Sequence, residues 1–305
     1  MSNSSCSLTQ PSSITLNQPN EVRRFLSLPA FGSDPDSNTF IKRASHRLIF
    51  PDGRPFKIVG PNIYWLAIDE NVGSTGSFPS SQRILDAFAT AATMGATTVR
   101  STTLGVSLGS KNAIEPHLGS FNTQALDHLG FVVYVARLYA IKLIIPLTDQ
   151  YDYYHGGYRT FLRWRGIPDT NSSAFYDTSS IVYEDFTSYI TTILNYTNPY
   201  TQMKLSEDPT ILAWETGNEL DGPDPKWTKS VAETIKNLAP NQLVGSGRYG
   251  VNKEDLTIES IDLVYDFVIF FFIFFQELGG KVVLFLTFRL LSIIPQYRSF
   301  LSSFL

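Results

Sequence analysis

The chain has 305 residues, 43% of them hydrophobic, 13% aromatic and 17% charged, with a formal net charge of -4. Such a composition supplies a core and excludes a wholly disordered chain, and the weakly acidic balance excludes the dense basic face that binding to nucleic-acid phosphates requires. The single cysteine, Cys6, excludes an internal disulfide and any multi-cysteine zinc site.

Residues 1–38 are rich in Ser, Pro and Asn without sustained periodicity and read as a disordered extension. Met1 to Ser13 lacks a basic segment followed by an apolar one, so no signal peptide is read there, although Asn-x-Ser/Thr triplets at Asn3, Asn171 and Asn195 are compatible with secretion. Arg47 to Ile58 has the form of a hairpin turning at Pro51-Asp52-Gly53, with Leu48, Phe50, Phe56 and Ile58 alternating around it.

From Ile58 onward short β-branched runs alternate with helical patterns. Ile58 to Tyr64 reads as a strand, Ile84, Leu85, Phe88, Ala91 and Ala92 as one helix face, and Thr97 to Arg100 as the next strand. Asn122 caps a helix bearing Leu126, Leu129, Val133 and Ala136, and Lys142 to Leu147 is the strand after it. Beyond a longer loop, Val182, Phe186, Ile190, Ile193 and Leu194 line a helix, Ile211 to Trp214 a strand, Val231 to Leu238 a helix, and Leu243 to Ser246 a fifth strand. Alternation of this kind builds a parallel sheet, either a closed barrel or an open doubly wound one. No Gly-rich phosphate fingerprint follows the first strand, which weakens the nucleotide-binding option. Polar and aromatic residues instead collect just after successive strands, at Tyr64 and Trp65, Arg100, Asp149 to Tyr154, Asn218 and Glu219, and Arg248 and Tyr249. That is where parallel barrels keep their active sites.

The stretch Asp208 to Leu220, with Trp214-Glu215-Thr216-Gly217-Asn218-Glu219, resembles the fourth-strand motif of glycoside hydrolase family 5, a family of retaining barrels of clan A. Phe56 to Trp65, the strand ending in Arg100, Ile141 to Gly157 with its Tyr-Asp-Tyr-Tyr-His-Gly-Gly, and Trp227 to Gly250 resemble its endo-β-mannanase branch, fungal members especially. The resemblance implies a (β/α)8 TIM barrel over 39–266, here incomplete, with strands one to five or six. It also implies hydrolysis of β-1,4-mannosidic linkages with Glu219 as acid/base, the alternatives being an endo-β-1,4-glucanase and an inactive, polysaccharide-binding remnant. Retaining chemistry needs one carboxylic acid to protonate the leaving oxygen and a second carboxylate about 5 to 5.5 Å away as nucleophile. By resemblance Asn218 bonds the sugar 2-hydroxyl and Arg100 supports the nucleophile, while Trp65, Tyr151 and Tyr154 are candidate substrate contacts, with Tyr153 and Trp164 as further platforms. Glu215, inside the strand, reads as a structural carboxylate partnered by Arg100. His155 has no second histidine at ligand spacing, so neither a metal nor a cofactor is implied. The expected product is a secreted monomer acting on β-mannan or a related plant cell-wall polysaccharide.

The resemblance stops after Asp266, where an apolar run from Phe267 to Phe275 replaces the periodic pattern. The run ends at Gln276-Glu277, well short of the ~20 apolar residues of a membrane span. A compressed barrel would make Glu277 a weak candidate nucleophile, whereas a translated intron or a frameshift accounts for both the lost periodicity and the phenylalanine-rich composition. The expectation is that 267–305 is foreign to the family fold.

Overall fold

The computed structural model describes residues 35–72, 76–101, 105–106, 110–266, 275–278 and 281–285. Most of 1–38 and of the tail therefore lies outside the described residues.

The opening hairpin is present and extended by one strand. β1 (Lys42–Ala44), β2 (Arg47–Ile49) and β3 (Pro55–Phe56) form a three-stranded antiparallel sheet with Leu48 opposite Phe56. Asp52 accepts the Arg54 amide at 3.0 Å, and Gly53 takes the positive φ of 87° that the turn demands. Ile41, Leu48, Phe56 and Ile58 pack against Ile144, Leu212, Leu243 and Leu263 of the main sheet, so this small sheet closes one end of the barrel.

The main sheet has the order β4-β5-β6-β7-β8-β10-β9, with β4 (Thr98–Arg100), β5 (Lys142–Pro146), β6 (Ile211–Glu215), β7 (Leu243–Gly245) and β8 (Leu263–Asp266) parallel to one another. β10 (Lys281–Phe285) continues it parallel to β8, and β9 (Phe275–Leu278) runs antiparallel to β10 at the edge. The curled parallel sheet with its outer helices is an incomplete (β/α)8 barrel. Alternate residues divide the sheet's two faces. Leu143 and Ile145 face the helical layer, while Ile144 joins the cluster around the opening hairpin.

The helices carry the signals that start them. α1 (Ser81–Thr93) is capped by Ser80, and α2 (Thr123–Leu138) by Asn122, whose side chain accepts the Gln124 and Ala125 amides. Two short helices, α3 (Tyr158–Trp164) and α4 (Ser173–Tyr176), occupy the expected longer loop. Their Phe161 and Phe175 pack edge-on or tilted against Phe186 of α5 (Ile181–Asn195), and Tyr176 packs edge-on against Trp227, an aromatic core that tertiary packing rather than periodicity specifies. α6 (Pro225–Leu238) starts at its Asp224 cap with Pro225 in the first turn, several residues before Val231.

One expected strand is corrected. Ile58 to Tyr64 follows β4, with Ile63 donating to Arg100 O at 2.8 Å and Arg100 to Pro61 O at 3.1 Å, yet it makes only an isolated bridge at Asn62 and turns 3-10 helical at Tyr64–Leu66. Pro61 has no amide to donate, and a Cβ on Gly60 would stand 1.8 Å from Thr98 O, so the ladder cannot run on regularly. No helix among the described residues is long and apolar enough to cross a membrane.

Candidate active site

The C-terminal ends of β4, β5 and β6 bring one connected set of polar side chains together. Glu215, the last residue of β6, is fully buried and receives Arg100 Nε at 3.0 Å on both oxygens and Arg100 Nη2 at 2.6 Å. A carboxylate so bonded is held ionised and in place, which is the condition for burying a charge. The same Nη2 donates to Asn218 Oδ1 at 2.9 Å, and Asn218 Nδ2 donates to Asp149 Oδ1 at 3.1 Å. The amide of Asn218 thus has a cation on its oxygen and an anion on its nitrogen, so a flip would set like against like at both ends.

Asp149 follows β5 and is itself buried. Its Oδ1 also accepts the Tyr151 amide at 2.9 Å, and its Oδ2 lies 3.0 Å from His155 Nε2, a contact that places a proton on that nitrogen. The loop carrying these residues closes tightly: a Cβ on Gly156 would stand 1.7 Å from Val106 O and one on Gly157 2.5 Å from Asp149 O. Only glycines fit at both positions.

Glu219 sits at the rim, half-buried, between two backbone pairings, Asn218 with Asp149 and Leu220 with Arg248. Its φ of 52° is the left-handed region, uncommon for a residue with a side chain and a form of strain that clusters at functional sites. The Glu219 carboxylate beside the Tyr151 hydroxyl is the main cause holding the phenol well above its ordinary range. Tyr151 stacks on Tyr153 with centroids 5.6 Å apart, and Tyr153 and Tyr249 are among the most exposed rings of the molecule.

Trp65, Tyr154, Trp164 and Glu277 are the remaining expected site residues. Trp65 is half-buried with the Arg83 guanidinium 4.2 Å from its ring centroid. Tyr154 donates to Ile68 O at 2.9 Å, and Trp164 packs edge-on against Phe161. Glu277 lies on β9, its backbone paired with Val282, and Leu278 pairs with Lys281 at the start of β10. The chain therefore passes Glu277 in the direction opposite to the parallel strands. Asn171 and Asn195 are exposed. The sequence pattern missed the Asp149 to His155 link, whose one legible signal is the Gly156-Gly157 pair closing the loop.

A parallel β/α barrel with an Asn-Glu pair and a braced arginine at its strand ends is the arrangement of a carbohydrate-cleaving barrel enzyme. The chain belongs to glycoside hydrolase family 5, since the family model described as GH family 5 beta-mannosidase-like matches residues 38–266. Mannan endo-1,4-beta-mannosidase 2 of Oryza sativa subsp. japonica is 33% identical over 226 residues, covering 69% of this chain and 48% of that protein. Mannan endo-1,4-beta-mannosidase 7 of Arabidopsis thaliana is 32% identical over 210 residues, 65% of this chain and 46% of that protein. The solved family 5 mannosidase of Rhizomucor miehei superposes with a TM-score of 0.65 at 21% identity, covering 75% of this chain and 62% of that one. The chain spans about half the length of the curated relatives it matches.

Proposed function

We propose that the enzyme to which this chain belongs hydrolyses β-1,4-mannosidic linkages of mannan-type polysaccharides with retention of configuration, Glu219 acting as the acid/base. The observation that carries the reading is Glu219 itself, a strained glutamate at the barrel rim, adjacent in sequence to an asparagine braced by Arg100 and Asp149. In this mechanism Glu219 protonates the glycosidic oxygen as the bond breaks, then takes a proton from the water that releases the glycosyl-enzyme. Asn218, with one amide hydrogen on Asp149, keeps the other for the sugar 2-hydroxyl. Glu215 is not the nucleophile, because its oxygens are occupied by Arg100 and closed to solvent. Tyr151, together with Tyr153, offers a flat apolar face to a pyranose, and Trp65 and Tyr154 are the further candidate contacts.

The relatives named as mannan endo-1,4-beta-mannosidases support mannan over glucan. Exposed Asn171 and Asn195 suit a secreted, glycosylated protein. The attacking carboxylate belongs, in this reading, to the half of the family's length that the chain does not match. That the chain spans about half the length of the relatives it matches favours a second reading for the 305 residues, that they bind the polysaccharide without cleaving it. NMR of the first products released from mannan by the product of the full transcript tests the main reading. The β-anomer is expected first, and early α-anomer or hydrolysis of cellulose alone would refute it.

A further inference from the structure

Thr148, Asp149, His155, Gly156 and Tyr189 are among the residues that line a small cavity. Two of these residues carry a buried polar atom, His155 Nδ1 and Thr148 Oγ1, and neither atom has a hydrogen-bond partner among the described residues. Buried polar atoms are rarely left unsatisfied, and a cavity with converging polar groups is where an internal water sits. His155 is buried against Tyr154, whose ring stands edge-on with centroids 5.0 Å apart. The imidazole of this cavity-lining residue therefore has Nε2 on Asp149 and Nδ1 without a partner among the described residues.

We propose that His155 and Asp149 are positioning residues for Asn218, anchored from behind by a water molecule held between Thr148 and His155. The proposal rests on the mannan-hydrolase reading and adds to it the device that sets the amide of Asn218. His155 fixes one oxygen of Asp149, the backbone of Tyr151 and the amide of Asn218 fix the other, and Asn218 is thereby held in register with Arg100. A misplacement of about 1 Å at such a contact costs on the order of a hundredfold in rate. Because the pair touches Asn218 and not the substrate, its loss lowers turnover more than binding.

The test has two arms. In the full chain labelled with 15N-histidine, which has four histidines, the His155 signals are assigned by their disappearance in His155→Gln. A slowly exchanging proton on Nε2 is expected, together with contacts from the ring to a long-lived water that vanish in Thr148→Val. A proton on Nδ1 alone, or no bound water, overturns the proposal. In the product of the full transcript, His155→Phe should lower kcat on mannan roughly tenfold or more at nearly unchanged KM, and His155→Gln, which can still donate to Asp149, should recover most of it. Full activity in the Phe variant, or no recovery in the Gln variant, also overturns it. An unmutated product that does not cleave mannan refutes the proposed function, while the Nε2 proton still decides the positioning role.

Discussion

Arg100 and Glu215 meet from strands that are not neighbours, joined by contacts of 2.6 to 3.0 Å across the inside of the barrel with Glu215 fully buried. The pair ties β4 to β6 and at the same time aims Asn218, so fold and site share one ion pair. Removing one partner strands the other charge in a place water cannot reach.

Glu215→Ala and Arg100→Ala should therefore each destabilise the protein by about 3 to 5 kcal/mol, the range for a broken buried pair. Glu219→Gln, at a half-buried rim position, should change stability by no more than about 0.5 kcal/mol. Urea unfolding of the three variants checks this, and equal midpoints for Glu215→Ala and Glu219→Gln would mean that the two roles are misassigned.

Glu115 gives stability a pH dependence. Burial raises its carboxyl to about 7 against an ordinary value of 4.5, opposed by the Gly119 amide at 2.7 Å and reinforced by Asp185. Below the lower value both folded and unfolded chains hold the proton. Between the two values only the unfolded chain releases it, so the contribution of this group falls as pH rises through that window, by at most about 3 kcal/mol. Glu115→Gln keeps an acceptor for Gly119 and lacks the titration. The variant should gain stability relative to the parent between pH 4.5 and 7, and a constant difference in unfolding free energy across that range would count against it.

The exposed Tyr151 and Tyr153 pair beside Glu219 should contribute to glycan affinity. Replacing both with alanine should weaken mannohexaose binding by about tenfold, a loss of about 1.4 kcal/mol, as read by calorimetry. Replacing Trp164, which is packed on Phe161, should lower the melting temperature and leave affinity unaltered. The reverse pattern would move the sugar site away from the tyrosines.

The 305-residue chain by itself should release no reducing sugar from mannan, because on the proposed reading the attacking carboxylate lies in the unmatched half of the family's length and acid catalysis alone forms no glycosyl-enzyme. Activity that Glu277→Ala then removes would show instead that β9 supplies the nucleophile.

What could be read from the residues alone followed from local rules. Asn122 announced α2, and Ile211 to Trp214 announced β6 with Asn218 and Glu219 beyond it, because a cap and a run of buried apolar residues act over a few positions. The Arg100 and Glu215 pair was also legible, since a charge inside a barrel strand must find a partner. Long-range packing hid the rest. α3 and α4 are held by rings on α5 and α6, and the partners of Tyr154 and Trp164, Ile68 O and Phe161, are not deducible from their own sequence neighbours. The link from Asp149 to His155 depends on two glycines meeting backbone that their own sequence neighbours do not reveal.

Glu219 as acid/base is tested most directly by comparing Glu219→Gln in the full-length enzyme on two substrates. An amide cannot give a proton, so cleavage of mannan should fall by about 10² to 10⁴. An aryl mannoside whose leaving group needs no protonation should still form the glycosyl-enzyme at near the parent rate. An equal loss on both substrates, or undiminished cleavage of mannan, would contradict the assignment.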